Sequence, residues 1–175
     1  MTQQVRGTST ENRTRTVNWE DPAPTFAQAA EMTGLEYICA IFEGRLPAPP
    51  IAQTIGFTGA EASEGRTVFV SEPGEHLYNP IGVVHGGFAL TLLDSALGCA
   101  VHTTLPKGVR YTSLETKVNF VRPITVETGP VRCEATVVYR GRTVATAEGR
   151  LVEAKTGKLL AHGTTTCLIT GAQIP

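Results

Sequence analysis

Apolar and polar positions change rhythm twice along the chain. Phe26 to Phe42 (FAQAAEMTGLEYICAIF) places apolar residues at 26, 30, 35, 38 and 42 among good helix formers, broken only by Thr33-Gly34, which predicts one helix or two short ones. The run Leu46-Pro47-Ala48-Pro49-Pro50 is expected to stop any helix, with Ile51 to Phe57 leading into short strand signals, of which Thr67 to Val70 is the clearest. Asn79-Pro80-Ile81-Gly82 reads as a turn. From Gly86 to about Val101, GGFALTLLDSALGCAV is apolar on nearly every side, the pattern of a helix enclosed by the protein. Beyond it Leu114, Thr116, Val118 and Phe120 alternate with Ser113, Glu115, Lys117 and Asn119, and Val131 to Tyr139 is rich in β-branched residues. Arg140-Gly141-Arg142 and Lys155-Thr156-Gly157-Lys158 then separate two further strands, Thr143 to Glu153 and Leu159 to Thr170. This order predicts an α+β fold, an antiparallel sheet wrapped around one central helix with an extra helix before it, and argues against a doubly wound parallel sheet.

The chain has 175 residues, within the range of one domain. Its polar start, Met1 to Asn18, lacks the apolar centre of a secretory signal. A disordered tail over 1–24 is preferred to a transit peptide, leaving 25–175 as a single domain. Fifteen Lys and Arg against sixteen Asp and Glu leave a net charge of -1, too little positive field to grip a nucleic acid. The most hydrophobic run, Phe88 to Val101, is interrupted by Thr91, Asp94, Ser95 and Gly98, so neither a membrane span nor a membrane partner is expected. Cys39, Cys99, Cys133 and Cys167 stand alone, with no zinc-ligand spacing; they read as small buried hydrophobes of a reducing, cytoplasmic compartment, and no metal is expected.

The chain has no GxSxG elbow, phosphate loop, GxGxxG fingerprint or HExxH helix. What stands out is Asn79-Pro80-Ile81-Gly82-Val83-Val84-His85-Gly86-Gly87, running into the enclosed helix. Glycines allow close approach of a ligand to backbone, and a helix start offers unpaired N–H groups with partial positive charge, suited to a developing oxyanion. Asp94 is the second anomaly, because a carboxylate inside an apolar helix is costly unless it is partnered or opens into a cleft. With Thr91, Ser95, Gly98 and His102 it draws one polar line down the helix. Eight residues at about 1.5 Å each separate Gly86 from Asp94 by roughly 12 Å, too far for one reacting carbonyl to meet both. If both act, they come from different copies of the chain, and two antiparallel helices facing each other build two sites across a dimer.

The segment NPIGVVHGGFALTLLDSALGCAV, followed by YTSLETKVNFVRP, resembles the hotdog-fold thioesterases of the PaaI-like, phenylacetate-pathway group, over about residues 31–170. The resemblance implies hydrolysis of an acyl- or aryl-CoA thioester at a dimer interface, with coenzyme A entering only as part of the substrate and no cofactor. It also implies a homo-oligomer, a dimer by necessity and a tetramer by family habit. The family's Asn falls on Asn79, its His on His85, its oxyanion glycine on Gly86 and its carboxylate, general base or nucleophile, on Asp94. A water-orienting Ser or Thr falls on Ser113, with Thr112 as the nearby alternative. His85 is read as positioning the Gly86 loop rather than as a base, and Gly87 as a backbone contact to substrate. Arg122, Arg140 and Arg142 are either ordinary sheet-edge charges or the groups that meet the coenzyme A phosphates. The competing reading is a module that binds acyl-CoA or another acyl ligand without turnover; a hotdog hydratase is disfavoured because its motifs are missing.

Overall fold

The computed structural model describes residues 12–171, so the first eleven positions of the expected tail lie outside the described residues. Residues 12–22 run without regular secondary structure, yet Arg15 donates to the Thr54 and Gln53 carbonyls at 2.6 and 3.1 Å and Arg13 pairs with Glu75.

The Phe26 to Phe42 pattern resolves into two helices, α1 (Ala23–Ala29) and α2 (Gly34–Phe42). The break at Thr33-Gly34 is a helix start. Thr33 Oγ1 accepts from the Glu36 N–H at 3.3 Å while Glu36 Oε2 accepts from the Thr33 N–H at 2.8 Å, a reciprocal cap that satisfies two otherwise orphan donors. Only glycine fits at 34, because a Cβ there would stand 1.7 Å from the His102 carbonyl oxygen.

The proline run corrects one expectation. Pro50 opens a third helix, α3 (Pro50–Ile55), instead of handing the chain directly to a strand. Proline is tolerated in a first helical turn, where its missing N–H has no intrahelical partner to lose. Gly56, at φ 87°, ends that helix and turns the chain into β1 (Phe57–Ser63).

The remaining elements follow the predicted order: β2 (Arg66–Ser71), the central helix α4 (Gly86–His102), β3 (Arg110–Phe120), β4 (Val131–Arg140), β5 (Val144–Glu153) and β6 (Leu159–Thr170). All pair antiparallel in one sheet ordered β1-β2-β4-β5-β6-β3. The sheet curves around α4, whose Leu92, Leu93 and Leu97 are fully buried. Each contributes about 1.5–3 kcal/mol by leaving water. Small residues on the inner sheet face, Ala135, Ala147 and Gly149 among them, let the helix seat closely; a Cβ at Gly149 would already stand 3.3 Å from Leu93 Cδ2.

β3 is an edge strand, paired only with β6, and it carries a bulge: Ser113 faces Cys167 and Glu115 faces Thr166, leaving Leu114 as the extra residue. Leu114 is left 59% exposed at this bulge, where an unbroken alternation sets it beside Thr116 and Val118. Tyr111 and Ser113 take the inner face before the bulge, and Thr112 the outer one.

Candidate functional site

The loop before α4 is held by its own side chains. Asn79 Oδ1 accepts from the Ile81 and Val83 N–H groups at 3.0 and 3.3 Å, the Asn79 N–H donates to the Val83 carbonyl at 2.8 Å, and Gly82 makes the turn at φ 81°. Asn79 thus fixes the loop through its oxygen.

His85 then caps the helix. Its Nδ1 accepts from the Gly87 N–H at 2.8 Å, while its carbonyl accepts from Phe88 at 3.0 Å. His85 thereby occupies the Gly87 donor. The Gly86 N–H makes no hydrogen bond among the described residues. One donor at the positive end of a helix of 17 residues is therefore left over.

That donor opens on a cleft of about 670 Å³ lined by Asn79, His85, Gly86, Gly87, Leu90, Phe120, Arg122 and Ile124, among others. Phe120 forms its roof: a Cβ at Gly86 would lie 3.0 Å from Phe120 Cζ. Arg122 stands on the wall with its guanidinium donating to the Leu159 carbonyl at 2.6 Å. Of the sequence candidates, this cleft gathers Asn79, His85, Gly86, Gly87 and Arg122.

Asp94 is elsewhere on the same helix. α4 runs antiparallel to β3, with Gly86 under Phe120, Asp94 against Thr116 and Gly98 against Tyr111. Asp94 is exposed in the single chain, so its apolar neighbours on the helix do not enclose it. Thr116 Oγ1 donates to Asp94 Oδ1 at 2.8 Å. Thr116 is the residue that sequence reasoning missed. Its signal was a hydroxyl on the inward side of an otherwise apolar alternation.

Ser113 shares the inner face of β3, opposite the buried Cys167 of β6. Arg140 and Arg142 lie at the β4–β5 turn, the end of the sheet where Val144 faces Leu168, opposite the Leu160 end that borders the cleft. The four thiols are unpaired, and burial pushes Cys99 and Cys133 up to about 12, which leaves them protonated and inert as nucleophiles. Among the described residues no group of three or more His, Cys, Asp or Glu is arranged to hold a metal ion, and no helix is long and apolar enough to cross a membrane.

The pattern of the thioesterase superfamily matches residues 81–160, which contain the helix start, Asp94 and Thr116. A Halobacterium salinarum protein is 42% identical over 69 residues, 38% of this chain and 44% of that one, so the match spans less than half of that relative. Human acyl-coenzyme A thioesterase 13 is 29% identical over 106 residues, covering 61% of this chain and 74% of that protein. The crystal structure of a phenylacetic acid degradation-related protein from Ralstonia eutropha superposes with a TM-score of 0.67 at 30% identity, over 75% of this chain and 98% of the other. With its sheet wrapped on one long helix, the chain belongs to the thioesterase superfamily, in its hotdog-fold, PaaI-like branch.

Proposed function

We propose that the chain hydrolyses acyl-CoA thioesters at sites shared between two copies of itself, using the Gly86 N–H of one copy and Asp94 of the other. The observation that carries this reading is the exposure of Asp94, beside the edge strand β3, on the one line of α4 that the sheet does not cover. β3 presents unpaired backbone groups together with exposed Leu114 and Phe120, and Leu90 on α4 is likewise open. A second copy laid against this edge, its helix antiparallel, brings its own Asp94 toward Gly86.

The thioester carbonyl then lies against the Gly86 N–H, whose helix dipole stabilises the oxyanion as charge develops. Asp94, oriented by Thr116, takes the proton of the attacking water or attacks the carbonyl itself. Asn79 keeps the loop in shape. Arg122, on the cleft wall, is placed to meet the phosphates of coenzyme A, which enters as part of the substrate; Arg140 and Arg142 of the partner reach the same region only if the pairing carries that turn across. Ser113 or Thr112 as the water-orienting group is secondary to Thr116. The chemistry asks for no metal or redox group.

Release of free thiol from a panel of acyl-CoAs tests the proposal. Turnover that disappears with Asp94→Asn supports it; tight acyl-CoA binding with no thiol release makes the protein a binding module instead.

A further inference from the structure

Glycine at 86 answers to a neighbouring ring rather than to a backbone angle. It lies in the first turn of α4 without a positive φ, so its conformation is open to any L residue. What a side chain would meet there is Phe120. The three atoms nearest a Cβ at this position all belong to that ring, Cζ at 3.0, Cε1 at 3.2 and Cε2 at 3.5 Å. Carbon atoms pack best at about 3.5–4.0 Å, so the ring tip already fills the space that a side chain on residue 86 would take.

The strand fixes the ring in that place. Phe120 ends β3 opposite Ala161 and alternates onto the inner face with Thr116 and Val118. Directly after it, the Val121 and Arg122 N–H groups both donate to the Leu160 carbonyl, at 2.8 and 3.1 Å, and pin the chain as it leaves the sheet. Yet Phe120 remains 59% exposed, so the core gains little from it. Its tip stands instead beside the Gly86 N–H, the donor left over at the start of α4, and both line the same cleft. A donor walled by carbon rather than water sits in a lower local dielectric, where charge developing on its acceptor is stabilised more strongly.

We infer that Phe120 is a further residue of the thioester site, the apolar wall that keeps water off the Gly86 N–H, and that the two residues form a matched pair in which the missing side chain of one admits the ring of the other. The inference rests on the thioesterase reading above and adds to it a residue in contact with the reacting carbonyl. It also couples the sizes allowed at the two positions. A methyl group at 86 displaces the ring, and removal of the ring makes room for the methyl group.

The test compares Phe120→Ala, Phe120→Leu, Gly86→Ala and the double variant Gly86→Ala/Phe120→Ala in the full chain, with acyl-CoA hydrolysis and sedimentation measured together. Phe120→Ala is expected to lower kcat about tenfold with little change in KM, and Phe120→Leu, which keeps apolar bulk, about threefold. Gly86→Ala is expected to cost about tenfold alone but no more than about twofold when added to Phe120→Ala, because neighbouring residues that share one space are not additive. If Gly86→Ala fails to fold, recovery of folding in the double variant reports the same coupling, and a double variant that folds no better overturns it. Additive losses, an unchanged kcat in Phe120→Ala, or a fall that tracks loss of dimer and recovers at higher protein concentration each overturn the inference while leaving thioester hydrolysis standing. If the wild-type chain cleaves no thioester, the hydrolase reading fails by itself. Calorimetric Kd values then decide the wall, using an acyl-CoA ketone analogue with CH2 in place of sulfur and a thioether analogue that lacks the carbonyl. A preference for the ketone that shrinks about threefold in Phe120→Ala supports the wall, and an equal preference in wild type and variant overturns it.

Discussion

The Thr116 hydroxyl donates to Asp94 Oδ1 at 2.8 Å, and the Thr165 hydroxyl lies 3.3 Å behind it while donating to the Glu115 carbonyl at 2.6 Å. Each hydroxyl has one proton, and these two are committed, so Thr116 points its hydrogen at the carboxylate and Thr165 only backs it. Thr116→Val keeps the shape and removes that hydrogen. It is expected to fold normally and lower kcat about tenfold with a smaller change in KM, as loss of a positioning contact does. Asp94→Asn is expected to cost several orders of magnitude in kcat, with native far-ultraviolet dichroism retained. Near-wild-type turnover in the latter would remove Asp94 from the mechanism.

The sharing of a site between copies is tested by mixing an Asp94→Asn chain with a Gly86→Pro chain, which lacks the N–H. Random pairing makes about half the dimers mixed, each with one intact site of two, so co-refolded mixtures are expected to regain about a quarter of wild-type activity. Native mass spectrometry must show the mixed dimer. If it forms and stays inactive, the two residues do not act across an interface.

Removing the helix cap separates stability from chemistry. His85→Ala exposes the Gly87 N–H that His85 Nδ1 now accepts from at 2.8 Å, and is expected to lower stability by about 1 kcal/mol. A thermal shift that leaves kcat unaltered would confine His85 to this structural role.

The edge strand gives a prediction about assembly. Leu114, 59% exposed at the bulge, becomes a solvated charge in Leu114→Lys. Sedimentation is expected to show dissociation toward monomers, and activity to fall in proportion to the dimer lost, because charge on a strand edge blocks pairing. A dimer that survives unchanged places the contact elsewhere.

His102 sets a pH dependence of stability. Burial holds its imidazole below the ordinary value of 6.5, so the unfolded chain binds a proton before the native one does as pH falls. The native state is therefore expected to lose stability as pH drops through about 6.5, with no contribution from this group above that range. Urea midpoints measured between about pH 7.5 and 5.5 check the sign. His102→Gln should flatten the slope, leaving the part owed to His76, which is also held low by burial.

Much of this is legible in the sequence because the strongest patterns belong to the elements that matter most. The apolar run of α4 can only be a central helix, and the turn chemistry of Asn79 to Gly82 is local, so neither needs tertiary information. Pro50 misleads because a proline stops one helix and starts another with the same ring. Leu114 is misplaced by its alternation because a bulge is one extra residue against a partner strand, invisible until Ser113 is seen facing Cys167 and Glu115 facing Thr166. Thr116 escapes notice because its role depends on which turn of α4 lies beneath it. Asp94 is recognisable by its oddity, yet its exposure follows from a sheet that ends at β3, which composition does not reveal.

Gly34 locks α2 against the end of α4, its N–H donating to the Leu105 carbonyl at 2.9 Å where any side chain would collide with His102. Together with Phe42 packed edge-on against Phe69, this contact holds the N-terminal helices physically apart from the loop that carries Gly86. Any replacement for α1 and α2 must consequently keep glycine at 34, whatever else it changes, since a Cβ there meets the His102 carbonyl oxygen before the rest of the pair can pack.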